Sequence, residues 1–334
     1  MKRFLRLLLK IVLPLIAVAV IAYLYLYTQD FTDYFSERKG VLANVSVEPT
    51  GSDAFFAKSW LRLENSDGFS VLCGMLVPKR QPGFPVDPDS GRTPRRTTPP
   101  PSEKRYPAVI LLGGKTTGKY AVEYALDIQD VILVAPDYPY EPRESYSIIE
   151  FAADIPEIRG AIVDMIPSVM LITDYLWQRP DVDTAKIILL GYSFGAPFVP
   201  ALVAHDRRTA VAAMVYGGGD MGSLIGHNVA RYEGALVSEF VGRLAGLLLR
   251  PLEPLRFVDE ISPIPLLMIN GARDEQVPRE NTLMLYRAAR QPKKLIWLES
   301  RHVHPRNVEL TRRIIQTLKS ELVNLQILPR YPSP

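Results

Sequence analysis

The chain has 334 residues, 47% of them hydrophobic and 22% charged, a globular composition that excludes disorder throughout and collagen-like repeats. Lys and Arg (39) nearly balance Asp and Glu (36), and four of the basic residues (Lys2, Arg3, Arg6 and Lys10) stand near the N-terminus. The body is therefore neutral, which argues against a nucleic-acid binder, while the single cysteine, Cys73, excludes an intramolecular disulfide and any cysteine-based zinc or iron–sulfur site.

From Ile11 to Tyr27 the sequence carries no charge, and with Leu7 to Lys10 the run reaches twenty-one residues. At about 1.5 Å per helical residue it spans a bilayer core. Lys10 can snorkel toward the headgroups, and Tyr23, Tyr25 and Tyr27 suit the far interface. Basic residues precede the run and Asp30, Asp33 and Glu37 follow it. The positive-inside bias then puts residues 1–6 in the cytoplasm and the body on the periplasmic or extracytoplasmic side. The expectation is a single-pass anchor over 1–30, a juxtamembrane linker over 31–59 and one domain over 60–330. A cleaved signal peptide competes, with Ala17-Val18-Ala19 as its site, but the apolar run continues past it.

Trp60 to Glu64 and Phe69 to Val77, separated by Asn65-Ser66-Asp67-Gly68, predict a hairpin. Residues 78–107 follow, rich in proline and arginine, and predict an exposed loop. A docking arm for an anionic surface is the sharper alternative for this loop. Beyond it, six apolar runs predict strands buried on both faces: Ala108 to Leu112, Val131 to Ala135, Lys186 to Leu190, Val211 to Tyr216, Pro265 to Ile269 and Lys294 to Leu298. Helices are predicted at Tyr120 to Ile128, Glu157 to Gln178, Phe194 to His205, Glu280 to Arg290 and Asn307 to Leu325, with a kink at Pro167. Alternation of strand and helix gives an α/β fold, a mainly parallel sheet with an antiparallel N-terminal hairpin and helices on both faces. Residues 221–260 form a helical insertion, a candidate lid.

After the strand Lys186 to Leu190 comes Gly191-Tyr192-Ser193-Phe194-Gly195, then a helix. A serine hydroxyl is exposed at a strand's carboxyl end only if the chain turns sharply into a helix, and the flanking glycines avoid collision where the two pack closest. The Phe194 amide, at the helix start, points where an oxyanion would form. Asp274 lies in the loop after the strand Pro265 to Ile269, and His302 lies after the last strand. The order Ser193, Asp274, His302 suits a nucleophile, an orienting acid and a general base. Asp220, in Gly217-Gly218-Gly219-Asp220, is the rival acid, and His304 the second histidine. Glu275 reads as a helix-start carboxylate, and His205 and His227 as structural.

On these motifs the chain resembles the α/β-hydrolase superfamily over roughly Trp60 to Leu325. The elbow, the G-x-x-D-x-x-V-P loop and the terminal histidine look most like the branch of dienelactone hydrolases, acyl-CoA thioesterases and prolyl-oligopeptidase-type domains. The resemblance implies hydrolysis of a carboxylic acid derivative without metal or cofactor, with a small acyl substrate. It also implies a second oxyanion donor after the strand Ala108 to Leu112, from Gly114 or Lys115. Leu112 stands where the family commonly has the histidine of His-Gly-Gly. The expected activity is that of a serine ester hydrolase working through an acyl-enzyme. A thioesterase, an acyltransferase, or a non-catalytic hydrolase-like binding domain at the membrane are the alternatives. Gly113 to Lys119 also satisfies G-x-x-x-x-G-K, but Tyr120 stands where a phosphate-binding loop needs Ser or Thr for magnesium.

Overall fold

The apolar runs find one another in a single sheet. The computed structural model describes residues 2–79, 104–124, 130–140, 148–304 and 306–329, with the backbone alone for 2–11, 15, 19, 148, 149, 151 and 152. Most of the expected proline-rich loop, the end of the helix expected to reach Ile128, and Pro305 lie outside these residues.

In chain order the elements begin with α1 (Lys2–Thr28), α2 (Thr32–Lys39), β1 (Leu42–Ser52), β2 (Phe56–Asn65), β3 (Ser70–Pro78), β4 (Tyr106–Leu112) and β5 (Ile132–Pro136). There follow α3 (Ile148–Gln178), β6 (Val182–Tyr192), α4 (Phe198–His205), β7 (Val211–Val215), α5 (Met221–Val229), α6 (Ala235–Leu248) and α7 (Pro254–Phe257). The chain closes with β8 (Leu266–Gly271), α8 (Arg279–Ala288), β9 (Lys293–Leu298) and α9 (Val308–Asn324). Among the described residues nine strands pair in the order β1-β2-β3-β5-β4-β6-β7-β8-β9. The pairs from β5 to β9 are parallel, and β1, β2 and β3 add antiparallel at one edge.

Each central strand feeds two cores. Ile110 and Leu189 join α3 and α4 on one face, while Val109 and Leu190 meet α9 on the other. Burial on both faces is why these strands read as unbroken apolar runs. The chain starts β5 on one side of β4 and β6 on the other, and a crevice opens where such an order reverses.

The region expected as a linker, 31–59, holds α2, β1 and the start of β2 instead. The Phe35 side chain of α2 is buried in the core, and the Arg38 and Lys39 side chains pair with Asp164 and Asp174 of α3. The helix expected from Tyr120 is a 3-10 turn over Gly118–Tyr124. Helix α3 starts upstream of the expected Glu157 and contains both Pro156 and Pro167. Its buried stripe of Met165, Ile166, Val169, Ile172 and Leu176 supplies the tertiary packing that outweighs the prolines.

Among the described residues no single helix is long and apolar enough to cross a membrane. Val12–Thr28 and Thr32–Lys39 pass that test together, as a pair bent by 65°.

Candidate active site

The elbow is built from excluded volume. A Cβ on Gly191 would lie 2.5 Å from the Gly195 carbonyl oxygen, and one on Gly195 only 2.2 Å from that of Leu112 at the end of β4. Both positions therefore require glycine. Between them Ser193 takes φ +50°, a left-handed conformation that costs a non-glycine residue roughly 1–2 kcal/mol. The turn continues as a 3-10 segment, Ser193–Gly195, before α4, so Phe194 opens a turn rather than the helix itself.

Three elements that end on the same side of the sheet bring the expected acid and base to this serine. Ser193 Oγ lies 2.8 Å from His302 Nε2, and His302 Nδ1 lies 3.0 and 2.8 Å from the two oxygens of Asp274. A carboxylate only accepts, so Nδ1 carries the proton and Nε2 is left to accept from the serine hydroxyl. The His302 and Asp274 side chains are 6% and 1% exposed. Burial of that degree is tolerable for the acid because the Gln276 and Val277 amides also donate to Asp274 Oδ1, at 2.8 and 3.0 Å.

The rivals go elsewhere. Asp220 caps α5, accepting from the Ser223 amide at 3.0 Å, and His304 Nδ1 accepts from the Arg306 amide. His205 packs edge-on against Phe35, and His227 meets the Glu275 carbonyl oxygen at 3.0 Å.

Glu275 does more than start a helix. Its carboxylate accepts from the His302 amide at 3.3 Å and pairs with Arg301, fastening the histidine loop to the acid loop. Burial opposes ionisation there, yet backbone amides and Arg301 hold its carboxyl below the usual carboxylate range.

Tyr216, at the end of β7, presents its ring edge-on to the imidazole at 5.4 Å, and its hydroxyl bonds to Ser300. A Cβ on Gly271 would lie 2.8 Å from that ring, so β8 needs glycine there to admit it. Burial pushes the Tyr216 phenol up.

On the other side of Ser193, the loop after β4 is held by its carbonyls. Gly114 accepts from the Thr117 amide and hydroxyl, at 3.0 and 2.9 Å, and Gly113 accepts from the Tyr138 hydroxyl. The Tyr138 ring stands edge-on to Phe194 at 5.0 Å, so one side chain braces both places from which oxyanion donors are expected. Lys119, the lysine of the phosphate-loop pattern, is instead paired with Asp137 between Trp60 and Tyr120.

Two cavities meet at Ser193. The larger, about 600 Å³, is roofed by α5 and α6 through Leu224, Val241, Leu244 and Leu248 and floored by Ile158 and Ile162 of α3. The smaller, about 250 Å³, passes between the sheet and α9 past Leu111, Leu190 and Ile315. Lys115, Gln276 and His302 border both. Of the residues expected in the lid, Val241 and Leu244 face the larger cavity, whereas Leu236, Val237 and Phe240 face solvent. Among the described residues there is no cluster of three metal-ligating side chains.

No family model matches the chain. The uncharacterized protein YfhR of Salmonella typhi is 28% identical over 125 residues, 37% of this chain and 42% of its own length. Its Escherichia coli K12 counterpart is 25% identical over 119 residues, 36% of this chain and 38% of its own length. The chain thus matches less than half the length of either relative.

Among solved structures, acetyl xylan esterase 1 from Thermoanaerobacterium superposes with a TM-score of 0.56 at 13% identity, covering 87% of this chain and 94% of its own. A Paenibacillus acetyl xylan esterase gives 0.56 at 15% identity over 86% and 93%. A cold-adapted esterase from an Arctic intertidal metagenomic library gives 0.53 at 15% identity over 81% and 98%. The chain has the α/β-hydrolase fold.

Proposed function

We propose that this protein is a serine ester hydrolase. The observation that carries the reading is the continuous relay from Ser193 Oγ through His302 to Asp274, at 2.8 Å on each side of the ring. The esterases that share the fold support an ester as the substrate. In this reading His302 takes the Ser193 proton as the oxygen attacks the ester carbonyl, and Asp274 steadies the imidazolium. The oxyanion develops toward the amides of Phe194 and of Gly114 or Lys115, in the geometry that Tyr138 braces. His302 then gives its proton to the departing alkoxide, which leaves the serine acylated. A water deprotonated by the same imidazole releases the acid and restores the serine. An apolar acyl group suits the cavity beneath α6. A thioester is the second reading, on the same relay.

We infer further that α1 sits in a bilayer, with residues 1–6 cytoplasmic and the hydrolase body on the other side. Support comes from the apolar side chains that α1 leaves bare, among them Leu13, Ile16, Val18 and Ile21.

A fluorophosphonate probe tests the catalytic reading. Wild type should be labelled and Ser193→Ala should not, with ester turnover falling on the order of 10⁴-fold or more and the melting temperature kept. A well-folded wild type that resists the probe would point to the binding-domain alternative.

A further inference from the structure

Helix α6 has three faces, and each meets something different. Toward α5 it offers small residues. Gly242 and Gly246 lie against Gly222 and Gly226 so closely that a Cβ on Gly242 would stand 2.7 Å from the Gly222 carbonyl oxygen. Helices that pack backbone to backbone need no apolar side chains between them. Toward the protein, Val241, Leu244 and Leu248 line the larger cavity. Toward solvent, Leu236 is 85% and Phe240 68% exposed, with Tyr232 just before the helix at 81% and Val237 alongside. These side chains stabilise neither the hairpin nor the core. Aromatic side chains of this kind each offer on the order of 150 Å², so these side chains together present a few hundred Å², the size at which an apolar patch on a monomer is often functional.

The helix that carries the patch also meets another apolar surface at its far end. Helix α1 packs on α6, and Arg250, in the turn after α6, donates to the Tyr27 carbonyl at 2.8 Å and covers the Tyr27 ring at 3.9 Å. Arg159 of α3 bonds both the Leu248 carbonyl and the Gln29 side chain, tying the root of the hairpin to the end of α1. Phe240 lies ten residues from Arg250, about 15 Å along a helix axis. The charges around the patch, Arg231, Glu233, Glu239 and Arg243, cancel. A neutral apolar patch beside an apolar helix suits the interface of a zwitterionic bilayer better than an anionic partner.

We propose that the outward face of α6, with Tyr232, is a bilayer-docking surface, and that the cavity roofed by its inward face takes acyl chains of lipid-borne esters from that bilayer. This rests on the esterase and anchor readings above and adds to them a second point of membrane contact and a substrate class. One helix then serves both surfaces, so an ester lifted from the lipid meets the cavity on the other side of α6.

Docking can be read without turnover. Cys73 is buried, so in the full chain a thiol-reactive environment-sensitive dye reports an introduced cysteine alone. Phe240→Cys, Ile21→Cys in α1, and Ala185→Cys at the start of β6 would each be labelled and titrated with phosphatidylcholine vesicles. Dye at 240 should shift to the blue and brighten with lipid, as at 21, while dye at 185 stays unchanged. A response at 21 with none at 240 overturns the docking surface but leaves the anchor standing. No response at either sinks both. A response at 240 that grows with protein concentration in the absence of lipid assigns the patch to a second copy and overturns the proposal.

The substrate class has its own test. Leu236→Asp with Phe240→Asp should leave hydrolysis of a soluble short-chain ester unchanged and lower that of a long-chain ester held in vesicles by about tenfold or more. Equal rates on the vesicle substrate overturn delivery from the bilayer. Failure of wild type on the soluble ester sinks the esterase reading instead.

Discussion

The Ser193 elbow and the α5–α6 hairpin are both held by glycines, but to opposite effect. At the elbow, Gly191 and Gly195 let strand, turn and helix converge until each backbone atom has one position, and Ser193 is forced to φ +50°. In the hairpin, four glycines bring two helices together while α5 keeps no buried residue at all. Close packing over-determines the first and leaves the second resting on a smooth surface. Chemistry that fails with a misplacement of about 1 Å belongs on the first kind of structure. Choice among acyl chains can be left to the second.

The largest break in this comparison should come from the acid. Asp274→Asn lets the histidine take the wrong tautomer and should lower kcat on the order of 10⁴-fold, whereas Asp220→Asn keeps an accepting oxygen at the helix cap and should leave kcat unchanged, with stability altered by no more than a few tenths of a kcal/mol. Comparable kcat losses in the two variants would reassign the acid. Next in size is Gly242→Ala, whose Cβ meets the Gly222 carbonyl. It should cost about 1–3 kcal/mol in thermal unfolding and flatten the dependence of kcat/KM on acyl length. An unaltered length profile would show that the hairpin does not select the chain.

Tyr138→Phe removes only the bond to the Gly113 carbonyl, worth about 0.5–1.5 kcal/mol, and should lower kcat by up to about tenfold with KM kept. A change confined to KM would assign Tyr138 to the pocket instead of the oxyanion loop.

The smallest effect concerns His205, whose imidazole burial holds below its ordinary range, against the pull of Glu260 and Asp30. A folded-state value below the unfolded one means that the unfolded chain takes up the proton first. This contribution is therefore whole above about pH 6.5 and fades as pH falls through the window below it. Between pH 7 and pH 5 the melting temperature of wild type should drop more steeply than that of His205→Phe; parallel slopes would refute the assignment.

The central strands were legible because burial on both faces leaves a continuous apolar run. Strand β1 was not. Its residues are exposed apart from half-buried Leu42, and it exists by pairing with β2 across the short turn 53–55, through backbone groups that leave no apolar alternation in the sequence. Likewise α2 carries a single buried side chain, Phe35, too little for a helical period. At the site, the order of serine, aspartate and histidine could be read, since each follows a strand. Tyr138, Tyr216 and Glu275 could not, because their partners come from other strand ends. The paired glycines at 222 and 226 and at 242 and 246 were visible as small-residue spacings. Which helix those small faces meet is set by the tertiary packing of α5 on α6, which the spacing alone does not specify.

The junction between α1 and the body carries one more consequence. Only Gln29, Asp30 and Phe31 separate α1 from α2, and Arg250 and Arg159 grip the chain at Tyr27 and Gln29. A body on a slack leash would tumble and meet its surroundings from every direction. Here the link is a short, braced stalk, so if α1 is the anchor proposed above, its tilt in the bilayer also sets the heading of the cavity mouth.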